Sequence, residues 1–309
     1  MTKKILAIGN AIVDIVCKID DEFLAQNSLV KGSMSLINEK TADKLSELKF
    51  EKIVSGGSAS NTISLLSKLG NKNLFIGKVG NDKFGEKFIQ EITKEHSEFL
   101  TDKNLHKPTA RSFILVSPDG ERTMCTFLGC APEILESDIK EEFFKDISIL
   151  YLEGYLWDSP ETINALKKSI KLAKENNVKI AFSLSDLFCV SRHKEDFLNL
   201  IINDLDIVFA NETEVTELGE NYAEIFAKNQ KLIAIITKSE NGCEVIYKQK
   251  SIAVVTDKVE KVIDTTGAGD VFAGGFLHEY LNGSELEICA QKGNEMAGKI
   301  IQQFGARFE

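Results

Sequence analysis

The chain has 309 residues, of which 43% are hydrophobic and 27% are charged, as is usual for a globular protein. Its formal net charge of −10 excludes the broad basic face that binds nucleic acid or an anionic membrane, so we expect neither as a partner. The six cysteines include no C-x-x-C pair, which predicts reduced, buried thiols. No apolar run approaches the roughly 18 residues of a membrane span, and we expect a cytoplasmic protein.

Short apolar runs alternate with helical patterns along the chain, and most runs are continuous, as is typical of strands covered on both faces. We predict strands at residues 5–9, 73–77, 149–152, 178–182, 206–210 and 232–237. Helices are predicted at residues 58–69, 84–94, 160–175 and 195–202. This order predicts an α/β fold with a largely parallel sheet, helices on both sides, and ligands at the carboxyl ends of the strands.

Two regions depart from this order and predict a second, smaller sheet. Residues 12–19 and 33–37 look like strands, and residues 111–116 and 122–127 flank a Pro-Asp-Gly turn typical of a β-hairpin. We predict that they form a lid, at roughly residues 11–38 and 110–128, with one face over the active site. Because no repeat or long linker interrupts the chain, residues 1–309 are predicted to form a single domain.

The segment Asp264-Thr-Thr-Gly-Ala-Gly-Asp270 carries the strongest chemical signal, between the strand-like pair Val262-Ile263 and a helix. The sequence Gly267-Ala268-Gly269 lets backbone amides at the helix start converge into an anion hole suited to a transferring phosphoryl group. A carboxylate there would repel phosphate unless it has a chemical role, and Asp270 can accept the proton of an attacking hydroxyl. The alternative is that Asp270 merely caps the helix.

Two further segments carry polar groups suited to a polyol. In residues 55–61 a pair of glycines permits close backbone approach and Asn61 can donate and accept hydrogen bonds; the alternative is an ordinary turn with Ser58 as the N-cap. Asn10 and Asp14 follow the first strand, where a carboxylate can bind vicinal hydroxyls. A solvated loop aspartate is the alternative for Asp14.

A fourth segment, Asn211-Glu-Thr-Glu214, directly follows a predicted strand. Asn211 and Glu214 are one helical turn apart and therefore lie on one face, where their oxygens can hold hydrated Mg²⁺. The alternative is a capping arrangement at a helix start.

In this order and at these spacings the four segments resemble the ribokinase-like (pfkB) carbohydrate kinase family over nearly the whole chain. The resemblance implies a three-layer α/β/α sandwich with a small β-sheet lid, ATP as the phosphoryl donor, and Mg²⁺. Residues 237–242 are similar to the family's nucleotide-binding turn, although Ser239 stands where glycine is usual. The residues that the resemblance assigns to the nucleotide are Asn211, Thr237, Gly242, Thr266, Gly269 and Asn294. It also implies a potassium ion beside the anion hole, held largely by backbone carbonyls near Asp264, Thr266 and residues 305–306.

Within the family, residues 9–14 and 56–61 are similar to adenosine kinases, which implies transfer to the 5′-hydroxyl of adenosine. Residues 31–34, Arg111 with the hairpin, and residues 183–188 resemble the bacterial adenosine-kinase-like branch. The residues predicted to contact the nucleoside are Asn10, Ile12, Asp14, Met34, Gly57, Ser58, Asn61, Arg111 and Phe127. Of these, the apolar side chains would enclose the purine; alternatively, they pack the lid on the core. A kinase for ribose, fructose or a related sugar, and a non-catalytic sensor, are the alternative functions. Both a monomer and a homodimer remain open.

Overall fold

Both predicted β-sheets are present in the structure, a computed structural model that describes residues 3–94 and 96–308. The strands are β1 (Lys4–Ile8), β2 (Ile12–Lys18), β3 (Met34–Leu36), β4 (Lys52–Gly56), β5 (Asn73–Ile76), β6 (Ser97–Phe99), β7 (Ala110–Val116), β8 (Arg122–Phe127), β9 (Ile147–Glu153), β10 (Lys179–Ser183), β11 (Ile207–Asn211), β12 (Ile233–Thr237), β13 (Cys243–Tyr247) and β14 (Lys250–Val254). The α-helices are α1 (Asp21–Gln26), α2 (Glu39–Leu45), α3 (Ser58–Lys68), α4 (Lys83–Lys94), α5 (Pro160–Glu175), α6 (Leu187–Asn203), α7 (Glu212–Leu218), α8 (Tyr222–Ala227), α9 (Ala268–Asn282) and α10 (Leu286–Ile300).

The large sheet has the strand order β14-β13-β12-β11-β10-β9-β1-β5-β6, and its strands are parallel except for the β13–β14 hairpin at one edge. Successive residues of β1 enter opposite layers: Ile5 and Ala7 pack in one hydrophobic cluster, Leu6 and Ile8 in the other. This two-sided burial explains the continuous apolar runs and confirms the predicted α/β sandwich with a largely parallel sheet. All six predicted strands are present, shifted by at most two residues at either end.

The lid is a five-stranded sheet in the order β3-β8-β7-β2-β4. In β2 the residues Val13, Ile15 and Cys17 are buried, whereas the alternating Ile12, Asp14 and Val16 are partly exposed. One lid face therefore packs on helices and the other borders a cleft. The predicted strands and hairpin are confirmed, and β4 joins them as a strand that the sequence pattern did not indicate.

All six cysteines are buried, as predicted, and each is free in the structure. Across the described part of the chain, no helix combines the length and apolar composition needed to cross a membrane. One local prediction is wrong: Val262 and Ile263 form no strand but lie in an exposed extended segment, which the carbonyl of Ile301 holds through a backbone hydrogen bond to each of Ile263 and Asp264.

Candidate active site

The glycine-rich segment opens helix α9, and Gly267 is its N-cap in the left-handed conformation, with φ +74°. Asp270 stands in the first turn of this helix. One of its carboxylate oxygens accepts a hydrogen bond from Ser58 Oγ (2.6 Å), and the other accepts one from Asn61 Nδ2 (2.9 Å). Since both donors belong to helix α3 and the N-cap has no side-chain hydrogen bond, the interpretation of Asp270 as a simple cap is wrong.

Burial raises the pKa of Asp270 above its usual value, while the hydrogen bonds from Ser58 and Asn61 and the charge of Arg307 act in the opposite direction. A carboxylate with a raised pKa, held by two donors at a helix start, is a suitable proton acceptor. The space next to Gly269 is open: a Cβ built there meets no atom within 4 Å. The helix start can therefore admit an anionic group beside the carboxylate.

The turn between β4 and α3 brings the lid close to the core, and its two glycines are required for this approach. Gly57 has φ +92°, and a Cβ on it would overlap the carbonyl oxygen of Asn10. A Cβ on Gly56 would overlap the carboxylate of Asp14. Helix α3 begins at Ser58 with Gly57 as its N-cap, so the interpretation of Ser58 as the N-cap is wrong.

Behind this turn lies Glu153, a fully buried carboxylate at the end of β9 that the sequence analysis missed. It accepts hydrogen bonds from the backbone amides of Asn10 (2.8 Å) and Ala59 (2.6 Å) and from Asn10 Nδ2 (2.9 Å). Burial raises the pKa of Glu153 to about 7 despite these donors. Glu153 thus joins the end of β1 to the start of α3, and Asn10 supports the site from behind. The sequence feature that could have identified Glu153 is its place as a glutamate at the end of a continuous apolar strand.

At the start of α7, Asn211 and Glu214 form a reciprocal capping box. The Glu214 carboxylate accepts from the amide nitrogen (3.0 Å) and from Nδ2 (2.7 Å) of Asn211, and Asn211 Oδ1 accepts from the Glu214 amide (2.9 Å). Burial raises the pKa of Glu214 to about 7. The capping interpretation is confirmed, and both residues also line the cleft with Thr237. No group of three or more His, Cys, Asp or Glu side chains among the described residues is arranged to bind a metal directly.

The turn after β12 keeps a left-handed residue at the position where glycine was expected. Ser239 has φ +50° and Gly242 has φ +83°, and a Cβ on Gly242 would overlap the carbonyl oxygen of Val254. Nearby, the buried Asn294 donates through Nδ2 to the carbonyls of Val254 (3.1 Å) and Val255 (3.3 Å). Asn294 therefore ties α10 to the end of β14 and is separate from the cleft-lining residues.

The strand register decides which lid residues face the cleft, because residues directly opposite each other on neighbouring strands share a face. One such row is entirely apolar and consists of Val16, Ile114, Met124 and Met34. Ile12 lies on the same face as Asp14, two positions away on β2. Ile114 and Met124, which the sequence analysis did not single out, line the cleft directly.

Arg111 and Phe127 are paired on the opposite lid face, so the geometry does not support the prediction that they contact a nucleoside. Arg111 is buried, its guanidinium donates to Ser46 Oγ (2.9 Å), and it stacks 5.2 Å from the centroid of the Phe127 ring. A shift of one residue along a strand moves a side chain to the other face, and the sequence does not reveal which of the two faces a given residue occupies.

Arg122, at the start of β8, links the lid to the glycine-rich segment. It forms an ion pair with the buried carboxylate of Asp264 and donates to Thr266 Oγ1 (3.3 Å). Asp264 also accepts from Thr266 Oγ1 (2.7 Å) and from the backbone amide of Gly305 (2.8 Å). These donors hold the pKa of Asp264 below its usual value, against the effect of burial.

Two cavities meet between the lid and the core. A cleft of about 370 Å³ includes the glycine-rich segment, Glu214 and Thr237. A larger cavity of about 780 Å³ lies between the lid and the C-terminal segment 304–308. Both are bordered by Asp14 and Asn61. The structure thus brings Asp14, Gly57, Ser58, Asn61 and Asp270 together at one junction.

Comparison with known proteins gives four consistent matches. The model of the pfkB family carbohydrate kinases matches residues 26–309. The crystal structure of an adenosine kinase from Sinorhizobium meliloti is 39% identical, covers 100% of this chain and 96% of its own, and superposes with a TM-score of 0.89. A probable sugar kinase from Rhizobium etli CFN 42 is 37% identical over 99% of this chain and 95% of its own, with a TM-score of 0.88. The adenosine kinase of Dictyostelium discoideum is 29% identical over 98% of this chain and 96% of its own.

Proposed function

Since the chain belongs to the pfkB family of carbohydrate kinases, an ATP-dependent family of phosphotransferases that act on alcohol groups, we propose that it phosphorylates the 5′-hydroxyl of adenosine to give AMP. The observation that carries this proposal is the position of Asp270. Its carboxylate stands in the first turn of α9, is oriented by Ser58 and Asn61, and faces the junction of two cavities that Asp14 borders.

The proposed reaction places the acceptor hydroxyl next to Asp270. Its proton passes to the carboxylate, its oxygen attacks the γ-phosphorus, and the bond to the bridging oxygen breaks to release ADP. The backbone amides of residues 267–269 stabilise the negative charge on the transferring group. Asp14, Gly57 and Asn61 orient the ribose, and the closed lid excludes water as a competing acceptor.

The capping box at the start of α7 fits a hydrated magnesium ion. Each carboxylate oxygen of Glu214 accepts one hydrogen bond within the box and keeps lone pairs that can accept hydrogen bonds from metal-bound waters, whereas Asn211 Oδ1 already accepts from Thr213 and Glu214 and serves to orient that carboxylate. Magnesium would neutralise charge on the phosphates of ATP. We propose that Thr237, Gly242, Thr266 and Gly269 contact ATP. Asn294 would act indirectly, by holding the segment after β14 that lies near the adenine.

The potassium ion implied by the family resemblance would depend on backbone carbonyls, because the nearby carboxylate already has partners. The carboxylate of Asp264 already accepts hydrogen bonds from Thr266 and Gly305 and is paired with the guanidinium of Arg122. A positive charge therefore already occupies this side of the anion hole, and no step of the proposed reaction depends on potassium.

The lid favours a nucleoside over a plain sugar. Its cleft face carries the apolar row of Val16, Ile114, Met124 and Met34, and a flat purine would cover this row whereas a hydrated sugar would leave it exposed. The similarity to a probable sugar kinase keeps ribose, fructose or a related sugar as the second candidate acceptor.

An acceptor panel tests the proposal. Production of ADP from ATP would be measured with adenosine, other purine nucleosides, ribose and fructose; we expect adenosine to give the highest kcat/KM. Preference for a sugar would support the second candidate, and binding without ADP production from any acceptor would indicate a sensor.

The role of Asp270 is tested with Asp270→Asn. Asparagine keeps the size of the side chain but cannot accept the proton, so kcat should fall by roughly 10²–10⁴-fold while adenosine still binds. Near-full activity in this variant would show that Asp270 is not the base.

A further inference from the structure

Arg307 reaches from the C-terminal segment into the junction of the two cavities. Its Nε donates to Asn61 Oδ1 (3.0 Å), and its two terminal nitrogens donate to Ser60 Oγ and Ser55 Oγ. The guanidinium thus holds both the end of β4 and the first turn of α3. The segment itself is anchored independently, since the Gly305 amide donates to Asp264 and Ala306 packs against Gly267.

These contacts determine which way the Asn61 amide faces. Its oxygen accepts from Arg307 and its nitrogen donates to Asp270 (2.9 Å). If the amide were turned over, its nitrogen would face the guanidinium and its oxygen would face the carboxylate, so both contacts would be repulsive. A direct hydrogen-bonded path therefore runs from Arg307 through Asn61 to Asp270.

We propose that Arg307 is a positioning residue for the phosphoryl transfer, which fixes the Asn61 amide and through it the orientation of the Asp270 carboxylate. This inference rests on the proposed function. Asn61 is also placed to orient the acceptor, so loss of its preferred orientation disturbs the base and the hydroxyl together. A misplacement of this kind lowers the rate because the reacting atoms lose their alignment.

The charge of Arg307 has a second effect on Asp270. Four acidic groups surround this carboxylate, and besides burial its charge raises the pKa of each: Asp14 on β2, Tyr151 and Glu153 on β9, and Tyr155. Arg307 lowers the pKa of Asp270 against the effect of burial, and so do the hydrogen bonds from Ser58 and Asn61. Removing its charge should therefore raise the pKa, so that Asp270 loses its proton only at higher pH.

Arg307→Met and Arg307→Lys test the proposal, with Arg192→Met as a matched control. Arg192 donates two hydrogen bonds to Asp158 on the outer surface, so its loss removes a hydrogen-bonded guanidinium that does not line the cleft. We expect Arg307→Met to lower kcat on the order of ten- to a hundredfold and to move the acid limb of the kcat–pH profile to higher pH. Arg307→Lys should restore the position of that limb but only part of kcat, because lysine keeps the charge and loses the fork of donors.

A double-variant cycle separates positioning from a purely structural role. In an Asn61→Ala background, Arg307→Met should lower kcat on the pH plateau far less than it does in the wild type. Equal losses in both backgrounds, or an Arg307→Met enzyme with unchanged kcat and acid limb, would overturn the proposal. If Arg307→Met does not fold, the same comparison is made with Arg307→Lys, whose kcat loss should likewise vanish without Asn61. A wild-type chain inactive with every acceptor would instead refute the proposed function.

Discussion

Gly267 and Gly269 lie two residues apart at the start of α9 but are expected to respond to alanine in opposite ways. Gly267 has φ +74°, and a Cβ on it would overlap Ala306. Alanine there should cost about 1–2 kcal/mol for the left-handed backbone, plus the displacement of the C-terminal segment. Gly269 has no such backbone conformation and open space around its Cβ position, so alanine should leave stability unchanged or raise it by up to about 1 kcal/mol.

For Gly269→Ala, the effect on catalysis should be opposite to the effect on stability. A methyl group on Gly269 would occupy the open space at the helix start, where the phosphoryl group is proposed to bind. Alanine keeps the backbone donor, but blocking the phosphoryl position should cost at least as much as removing one donor from such a site, about 10²–10³-fold in kcat, and we expect Gly269→Ala to lose activity on that scale. The enzyme would then be folded, stable and nearly inactive.

The assay combines urea unfolding with initial rates of ADP formation for both variants. Gly283→Ala is a suitable control for backbone strain, because Gly283 has φ +82° with no atom near its Cβ position and lies at the far end of α9. It should lose stability without losing activity. Full activity in Gly269→Ala would refute the assignment of the anion hole, whatever its stability.

Two further predictions concern residues with unusual backbone or burial. Ser239→Gly should raise the free energy of unfolding by about 1 kcal/mol in urea titrations, because serine holds a left-handed φ of +50° there; a loss of stability would show that the serine side chain stabilises the turn. Burial raises the pKa of Glu153 from 4.5 to about 7, so the folded protein retains this proton more strongly than the unfolded chain. The resulting stability is present below pH 4.5 and lost as pH rises toward 7. Glu153→Gln should flatten this part of the pH dependence of unfolding, and an unchanged profile would contradict the assignment.

The sequence was sufficient to predict the layers of the fold but not all of its edges. The six predicted core strands were recognisable because both of their faces are buried. By contrast, β6 has only three residues and β13–β14 form an edge hairpin, so neither gives a long apolar run. In the lid, the hairpin was visible from its turn, but the face to which Arg111 and Phe127 point depends on a register that local sequence does not encode.

In the candidate site, too, the features that could be predicted are local in sequence, and those that were missed depend on distant residues. The glycine-rich segment and the turn before α3 are local motifs whose spacing indicates their chemistry. Glu153 contacts Ala59 across 94 positions, and Arg307 contacts Asn61 across 246, so neither partner could be inferred from spacing. Their roles depend on chain segments that meet only in the folded protein.

The contact between Arg307 and Asn61 also bears on how the enzyme is assembled. It joins residues 246 positions apart, and the neighbouring contact between Ser58 and Asp270 spans 212 positions. Contacts of such long sequence separation carry a large loop-closure cost and tend to form late in folding. Helices and sheets can therefore be complete before the site is, and in refolding the recovery of turnover should trail the recovery of secondary structure.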